Sequence, residues 1–414
     1  MLATSRPSPA TSRFILMIGI LGGGVFITSF FIWLSVTSHN IGRSDFTSTF
    51  VGATILVHHG FHQLYSPSLQ SLVHAHLIAP DKEGNLPFVN PPFAALLAAP
   101  FTALPLDDAY RLFVIIQLLC IVAGTVFVLT PRGLPITRSQ ILSLLAMSCG
   151  TPAVLALMLL GQWDGVLVLS TAAGFLFFRK GHRSSGILII LIPMLAIKPH
   201  LALGIGIAFL ATGTWDMIAP TVASGMIIGI STLLLLGVNG TAQYLTLLSH
   251  DATMWPYASF EGLSGLFGSW FGNTMPTAIL TAIGTVLCMA GAIYLGRRMH
   301  RHVHPTTADL SGVLIISLLM CPHLLMHDLV LLIPPMCALV AQELTAPEQG
   351  IVDVEVGIPV LLGFWCAGLI AEGFDFGHLA PYVPGKLVPL LLALSAVLLL
   401  VGFRLRPTRI ATTV

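Results

Sequence analysis

Long apolar runs separated by short polar breaks extend through nearly the whole chain, and this alternation limits the fold more than any other feature. Apolar segments lie at roughly 14–36, 110–130, 141–161, 164–178, 185–198, 200–213, 218–237, 275–296, 310–325, 328–342, 357–371 and 387–403. A run of about 20 apolar residues is what an α-helix needs to cross a bilayer. Only 8% of the residues are charged, 55% are hydrophobic and the mean hydropathy is +0.91, whereas a water-soluble domain carries about 25% charged residues. A soluble globule is therefore excluded. Segments such as 185–198 and 200–213 are too short to cross and read as half-spans or broken helices. The expected fold is an all-α polytopic membrane protein, a single integral membrane domain over residues 1–414 with about ten to twelve membrane segments.

The charges suggest an orientation. The run FILMIGILGGGVFITSFFIWLSV follows Arg6 and Arg13, is too long for a signal-peptide core and lacks a small-x-small cleavage site after it, so it is expected to remain as an anchor with the N-terminus in the cytoplasm. If the segments alternate from there, Arg132, Arg138, Arg179, Lys180, Arg183, Arg297, Arg298, Arg301, Arg404, Arg406 and Arg409 join Arg6 and Arg13 inside, thirteen of the 18 basic residues. That bias follows the positive-inside rule and puts both termini in the cytoplasm of a multi-pass protein of the cytoplasmic (inner) membrane. The clusters RKGHR, RRMHRH and RLRPTR are then topology signals, not nucleic-acid patches.

Two long stretches face outward on this map, residues 37–107 and 238–274. The first opens with Asp45, just past the end of the first apolar run, and continues with Phe46, Phe50, Ala53 and Val57 at helical spacing. This stripe predicts an amphipathic helix on the membrane surface, holding Asp45 at the level where headgroups meet water. The Pro91-Pro92 pair predicts a second interfacial or re-entrant helix over 92–104. The 238–274 stretch brings Tyr244, His250, Asp251, Trp255, Tyr257 and Glu261, a set that suits either sugar faces or an interfacial aromatic belt.

Polar groups inside apolar sequence are costly and point to function by default. Gln162 and Asp164 in LLGQWDGVLVL, Lys198 in MLAIKPHLALG, and His323, His327 and Asp328 in LLMCPHLLMHDLVLLIPP are the candidates. GQWDG equally fits a tight turn, and His323 a helix end. Lys198 is harder to explain structurally, because Pro199 after it breaks a helix within apolar sequence. All fall at the outward ends of their segments and are expected to converge with Asp45.

In order and spacing, the SDF opening of the outer loop, LY-S-P, PPFAALLAAPF, LLGQWD, AIKPH and CP-x4-HD followed by LVLLIPP resemble glycosyltransferase family 87. The resemblance runs from about residue 40 to about residue 345. It implies a GT-C-type helical bundle that transfers mannose or a related sugar from a polyprenyl-phosphate donor to a lipid or glycan hydroxyl on the outer face of the cytoplasmic membrane. By that resemblance Asp45 matches the catalytic base, Lys198 the lysine of a Lys-Pro pair and His327 the histidine before the LVLLIPP-like helix; Lys198 and His327 are expected to bind the donor phosphate, and Tyr65, Gln162, Asp164 and His323 the substrate. Asn90, Asp164, Leu325 and Asp328 depart from the family's usual residues, which bears on sugar and acceptor and leaves the reaction class standing.

The chemistry fits these residue types independently: a departing phosphate needs little protonation, so one base and a cationic clamp are sufficient for an inverting displacement. No cofactor is expected. The histidines of HHGFH and HAH have spacings that leave open a divalent ion assisting the phosphate. A transporter or flippase of lipid-linked sugars is the alternative reading, favoured by broken helices and a Lys near mid-membrane. Against it stand the absence of a visible inverted repeat or nucleotide-binding motif and the two long outer loops. The six cysteines behave as small hydrophobes and imply no disulfide framework. From residue 346 a cytoplasmic loop and two further spans are expected, with Glu372 and Asp375 at an outer turn.

Overall fold

The computed structural model describes residues 9–79, 86–130, 136–254, 256–301, 305–345 and 387–401. The expected loop after 346, the span at 357–371, Glu372, Asp375 and the placement of Trp255 lie outside the described residues, as do the side chains of His250 and Asp251. Among the described residues there is no β-strand. The helices are α1 (Pro9–Leu34), α2 (Ser38–Gly42), α3 (Asp45–His59), α4 (Pro67–Ile78), α5 (Pro92–Ala98), α6 (Leu106–Leu129), α7 (Arg138–Cys149) and α8 (Pro152–Leu160). They continue with α9 (Asp164–Arg179), α10 (Arg183–Ile197), α11 (Leu203–Ala211), α12 (Trp215–Met254), α13 (Leu263–Phe271), α14 (Met275–His300), α15 (Thr307–Met320), α16 (Ile333–Thr345) and α17 (Leu387–Val401).

The protein is an all-α polytopic membrane protein. Stretches Ile15–Leu34, Leu106–Leu129, Trp215–Ser249 and Met275–His300 are each long and apolar enough to cross a membrane, and α7 and α8 form a further pair bent by 54°. The bend falls at Gly150–Thr151, where Pro152 restarts the helix and Thr151 caps it. The remaining apolar helices are shorter, as the sequence suggested.

Helix packing and polar ties define two ends of the bundle. At one end, the α1 C-terminus is capped by Arg111 of α6, whose guanidinium donates to the carbonyls of Trp33 and Val36 and lies 4.8 Å from the Trp33 ring. Tyr110 donates to Met158 O at 2.6 Å, bringing the C-terminus of α8 to the same level. At the other end, Arg183 pairs with Asp216 at 3.2 Å and Arg298 with Asp309. Following α9 to α12 in turn, Asp164, Lys198 and Gly237 come to the first end while Arg179, Arg183 and Asp216 come to the second.

The segment between α1 and α6 is a folded unit. Helix α3 forms as expected, but its stripe is covered by protein and not by lipid: Phe46 packs on Phe113 and Tyr110, and Phe50 and Ala53 are buried, whereas Val57 is exposed. The physical reason is that α5 and α6 supply the apolar partner that the sequence pattern assigned to the membrane surface. Gln70 organises the rest, donating to Leu64 O at 2.9 Å and accepting from Phe88 N at 3.0 Å.

Candidate functional site

The first functional group is set by the start of a helix. Asp45 is the first residue of α3, where the helix dipole favours a carboxylate, and it is only half-buried. Its Oδ2 accepts a short hydrogen bond from Gln162 Nε2.

Gln162 is delivered by a turn whose two glycines have steric causes. Gly161 ends α8 at φ 66°, and a Cβ there would lie 2.6 Å from Phe46 Cβ, so a residue with a side chain would be both strained and obstructed. Gly165 lets α9 lie on α6, since a Cβ would sit 2.3 Å from Gln117 O. Gln117 then uses its own side chain, Oε1 accepting from Val166 N at 3.0 Å to satisfy a donor at the start of α9. Trp163 packs edge-on against Phe113, with ring centroids 4.7 Å apart. The turn therefore holds Gln162 toward Asp45 and, two residues on, Asp164 toward a second group.

That second group is a buried ionic cluster. Lys198 lies in the break between α10 and α11, forced out of helical geometry by Pro199 (φ −138°, ψ 75°). Ser317 braces the break, donating to Leu201 O at 2.7 Å and accepting from Ile205 N. The ammonium lies 2.9 Å from Asp164 Oδ2, 2.7 Å from Asp328 Oδ1 and 3.2 Å from His327 Nδ1. His327 and Asp328 come from the 3-10 turn Met326–Leu332 ahead of α16, and Asp328 Oδ2 accepts from Leu325 N at 2.8 Å. All four side chains are buried.

An ammonium has three donors, and two of them meet the carboxylate oxygens of Asp164 and Asp328. Lys198 is thus held in the cluster by both carboxylates. Two atoms of the cluster are left without partners: Asp164 Oδ1 and His327 Nε2. His327 Nδ1 also lies 3.0 Å from Asp164 Oδ2, and because a carboxylate oxygen only accepts, Nδ1 donates to it, leaving the buried Nε2 on the far side of the ring without a partner. Unpaired buried polar atoms cost about 1–3 kcal/mol each and in native proteins call for an explanation such as an absent ligand.

Among the described residues, Asp164, His327 and Asp328 are the set whose ligand atoms gather closely enough to hold a metal ion, all within 4.8 Å of one another. The Lys198 ammonium stands on the same oxygens. The histidines of HHGFH and HAH form no such set.

The other expected residues are placed separately. His323 is half-buried with its ring 4.9 Å from that of Phe260, next to Glu261 N, which donates to Leu324 O at 2.6 Å. Tyr65 is 1% exposed, donates to Asn90 O at 2.6 Å and packs against Phe88 and Tyr244. Burial, reinforced by Tyr244, holds its hydroxyl protonated well above the usual tyrosine range. His200 was not singled out from the sequence; it is within electrostatic reach of Lys198, Asp164, Asp328 and His323. Its position two residues after the Lys198 anomaly was the available signal.

A family model, glycosyltransferase family 87, matches residues 88–322. The chain belongs to this family. It is a glycosyltransferase, and Gln162, Asp164 and Lys198 lie within the matched stretch, while Asp45, Tyr65, His323 and His327 lie outside it. No curated protein and no solved structure matches the chain.

Proposed function

We propose that this glycosyltransferase moves a hexose, mannose in the first instance, from a polyprenyl-phosphate sugar to a hydroxyl of a lipid or glycan acceptor, by a single inverting displacement. The observation that carries the reading is that one rigid turn, Gly161–Gly165, gives Gln162 to Asp45 and Asp164 to the Lys198 cluster. A proton acceptor and an electrostatic group for the leaving phosphate are thus joined through a three-residue link.

In this mechanism the acceptor oxygen attacks the anomeric carbon as Asp45 removes its proton. The bond from that carbon to the phosphate oxygen breaks, and the electron pair leaves with the polyprenyl phosphate. Gln162 orients the Asp45 carboxylate so that one oxygen remains free for the incoming hydroxyl. The His327 imidazolium, its Nδ1 hydrogen held by Asp164, donates from Nε2 to the phosphate oxygen as charge develops on it, and Lys198 holds Asp164 in place to orient the ring. Lys198 and Asp328 are positioning residues in this account.

The half-buried position of Asp45 just beyond the first span suits a donor whose sugar lies at the membrane surface while its tail stays in lipid. The basic residues Arg138, Arg179, Lys180, Arg183, Arg297, Arg298 and Arg301 gather at the opposite end of the bundle. The positive-inside rule therefore supports an outward-facing site in the cytoplasmic membrane. The test is transfer by purified protein from short-chain polyprenyl-phosphate mannose, followed by His327→Gln and His327→Phe. Gln, which keeps an N–H donor, should retain part of the rate that Phe loses; equal loss in both would sink the assigned role of Nε2.

A further inference from the structure

The break in α12 carries a cavity that the mechanism above does not use. Helical geometry fails at Gly237, which takes φ 67° and ψ 177° inside an otherwise continuous apolar helix. From Trp215 to Leu236 the helix is about 33 Å long at ~1.5 Å per residue, close to the ~30 Å hydrocarbon core of a bilayer. The break therefore falls where the span ends, at the same end of the bundle as Asp45 and Lys198. Beside it lies an open cavity of about 470 Å³ lined by His62, Gln63, Asn239 and Gln243 together with the backbone at Gly237 and Gly240. Its size is in the range of small-molecule sites, about 300–1,000 Å³.

The lining has a definite chemistry. It is rich in carboxamides, each offering two donors and an acceptor, and it contains no acid, lysine or arginine. A helix break also frees backbone groups. Two of them are already used: Leu236 O accepts from His62 Nδ1 at 3.2 Å, and Gly237 O accepts from Thr241 Oγ1 at 2.8 Å. Because a carbonyl only accepts, His62 Nδ1 carries the hydrogen, and in the neutral ring Nε2 is an acceptor. Leu236 and Val238 supply apolar surface alongside. Paired donors and acceptors without net charge, next to a small apolar face, match hydroxyl-rich neutral sugars better than phosphates or carboxylates.

The site is held rigidly to the catalytic region. The Tyr65–Tyr244 contact, at 4.7 Å between ring centroids, docks the second half of α12 on the segment that also contains α3. Helix α3 runs from Asp45 to His59, three residues before His62, a length of about 21 Å at ~1.5 Å per residue.

We infer that this cavity is a second carbohydrate subsite, which holds a neutral sugar unit of the acceptor remote from the hydroxyl that reacts at Asp45. The inference rests on the reading of the acceptor as a glycan or glycolipid, but its test does not depend on transfer. The experiment is saturation-transfer NMR on full-length protein in nanodiscs, with mannotriose, xylotriose and mannose 6-phosphate as probes. At least one neutral trisaccharide should bind the wild type and Asp45→Asn alike, and bind the Asn239→Leu/Gln243→Leu double variant about tenfold or more weaker, the worth of one or two hydrogen bonds. Both substitutions are at exposed positions, and an unchanged melting temperature checks the fold. Binding unaffected by the double variant, no binding of either trisaccharide to wild type, or preference for mannose 6-phosphate would overturn the proposal. Trisaccharide binding without any transfer from polyprenyl-phosphate mannose would count against the donor assignment and leave the subsite standing.

Discussion

The bundle has a buried ion pair near each end, and the two are built differently. At the basic end Asp309 is satisfied on both oxygens: Oδ1 meets Arg298, with Nε at 2.6 Å, and Oδ2 accepts from Thr306 N at 3.0 Å and Thr306 Oγ1 at 2.7 Å. At the other end the Lys198 cluster contains two carboxylates for one ammonium and leaves Asp164 Oδ1 and His327 Nε2 without partners. This pair, with both Asp309 oxygens engaged, ties α14 to α15. A cluster of two carboxylates, an ammonium and an imidazole next to a half-exposed carboxylate offers Asp164 Oδ1 and His327 Nε2 to a ligand. Burial alone does not separate the two; their composition does, one carboxylate with one guanidinium against two carboxylates, an ammonium and an imidazole.

Variants can break or sharpen this contrast. The largest effects should come from breaking either pair, because an unpartnered buried charge costs about 3–5 kcal/mol. Arg298→Met should lower the melting temperature strongly, and Arg298→Met/Asp309→Leu should recover it with transfer per folded molecule unchanged, as measured by thermal unfolding alongside a rate assay. Lys198→Met should be comparably destabilising. Here the compensating variant, Lys198→Met/Asp328→Asn, should recover folding without recovering transfer; a double variant at wild-type rate would remove the distinction between the two ends.

Next in size, Gln162→Leu removes one charge-assisted hydrogen bond to Asp45, worth about 1.5–3 kcal/mol. Turnover should fall by about 10- to 100-fold with little change in melting temperature. The smallest expected effect is from Gly161→Ala, which forces a left-handed conformation at a cost of about 1–2 kcal/mol and displaces Phe46. It should reduce stability and transfer together, showing as a lowered melting temperature and a lowered rate in the same preparation.

Much of this was legible in the sequence, for reasons specific to each element. Apolar length marked α1, α6 and α14, and the Pro91-Pro92 pair marked the start of α5. Pro199 marked the break that carries Lys198, and 218–237 ended at the Gly237 break. Asp45, Gln162, Asp164, Lys198 and His327 stood out because polar residues in apolar sequence are costly. What could not be read was pairing. Nothing in periodicity says that Lys198 meets acids 34 and 130 positions away. The α3 stripe was visible, but its partner was not, because a membrane surface and a protein surface select the same apolar residues. Arg298 and Asp309 were hidden for a simpler reason: Arg298 sits in a basic run that a topology signal already explains.

The most direct test compares sugar transfer and donor binding for wild type and Asp45→Asn, using purified protein and short-chain polyprenyl-phosphate mannose. If Asp45 is the general base, as proposed, its loss should lower the rate by about 100-fold or more while donor binding persists, because the proposed phosphate contact is His327. An Asp45→Asn protein that binds the donor and transfers sugar at the wild-type rate would contradict the account.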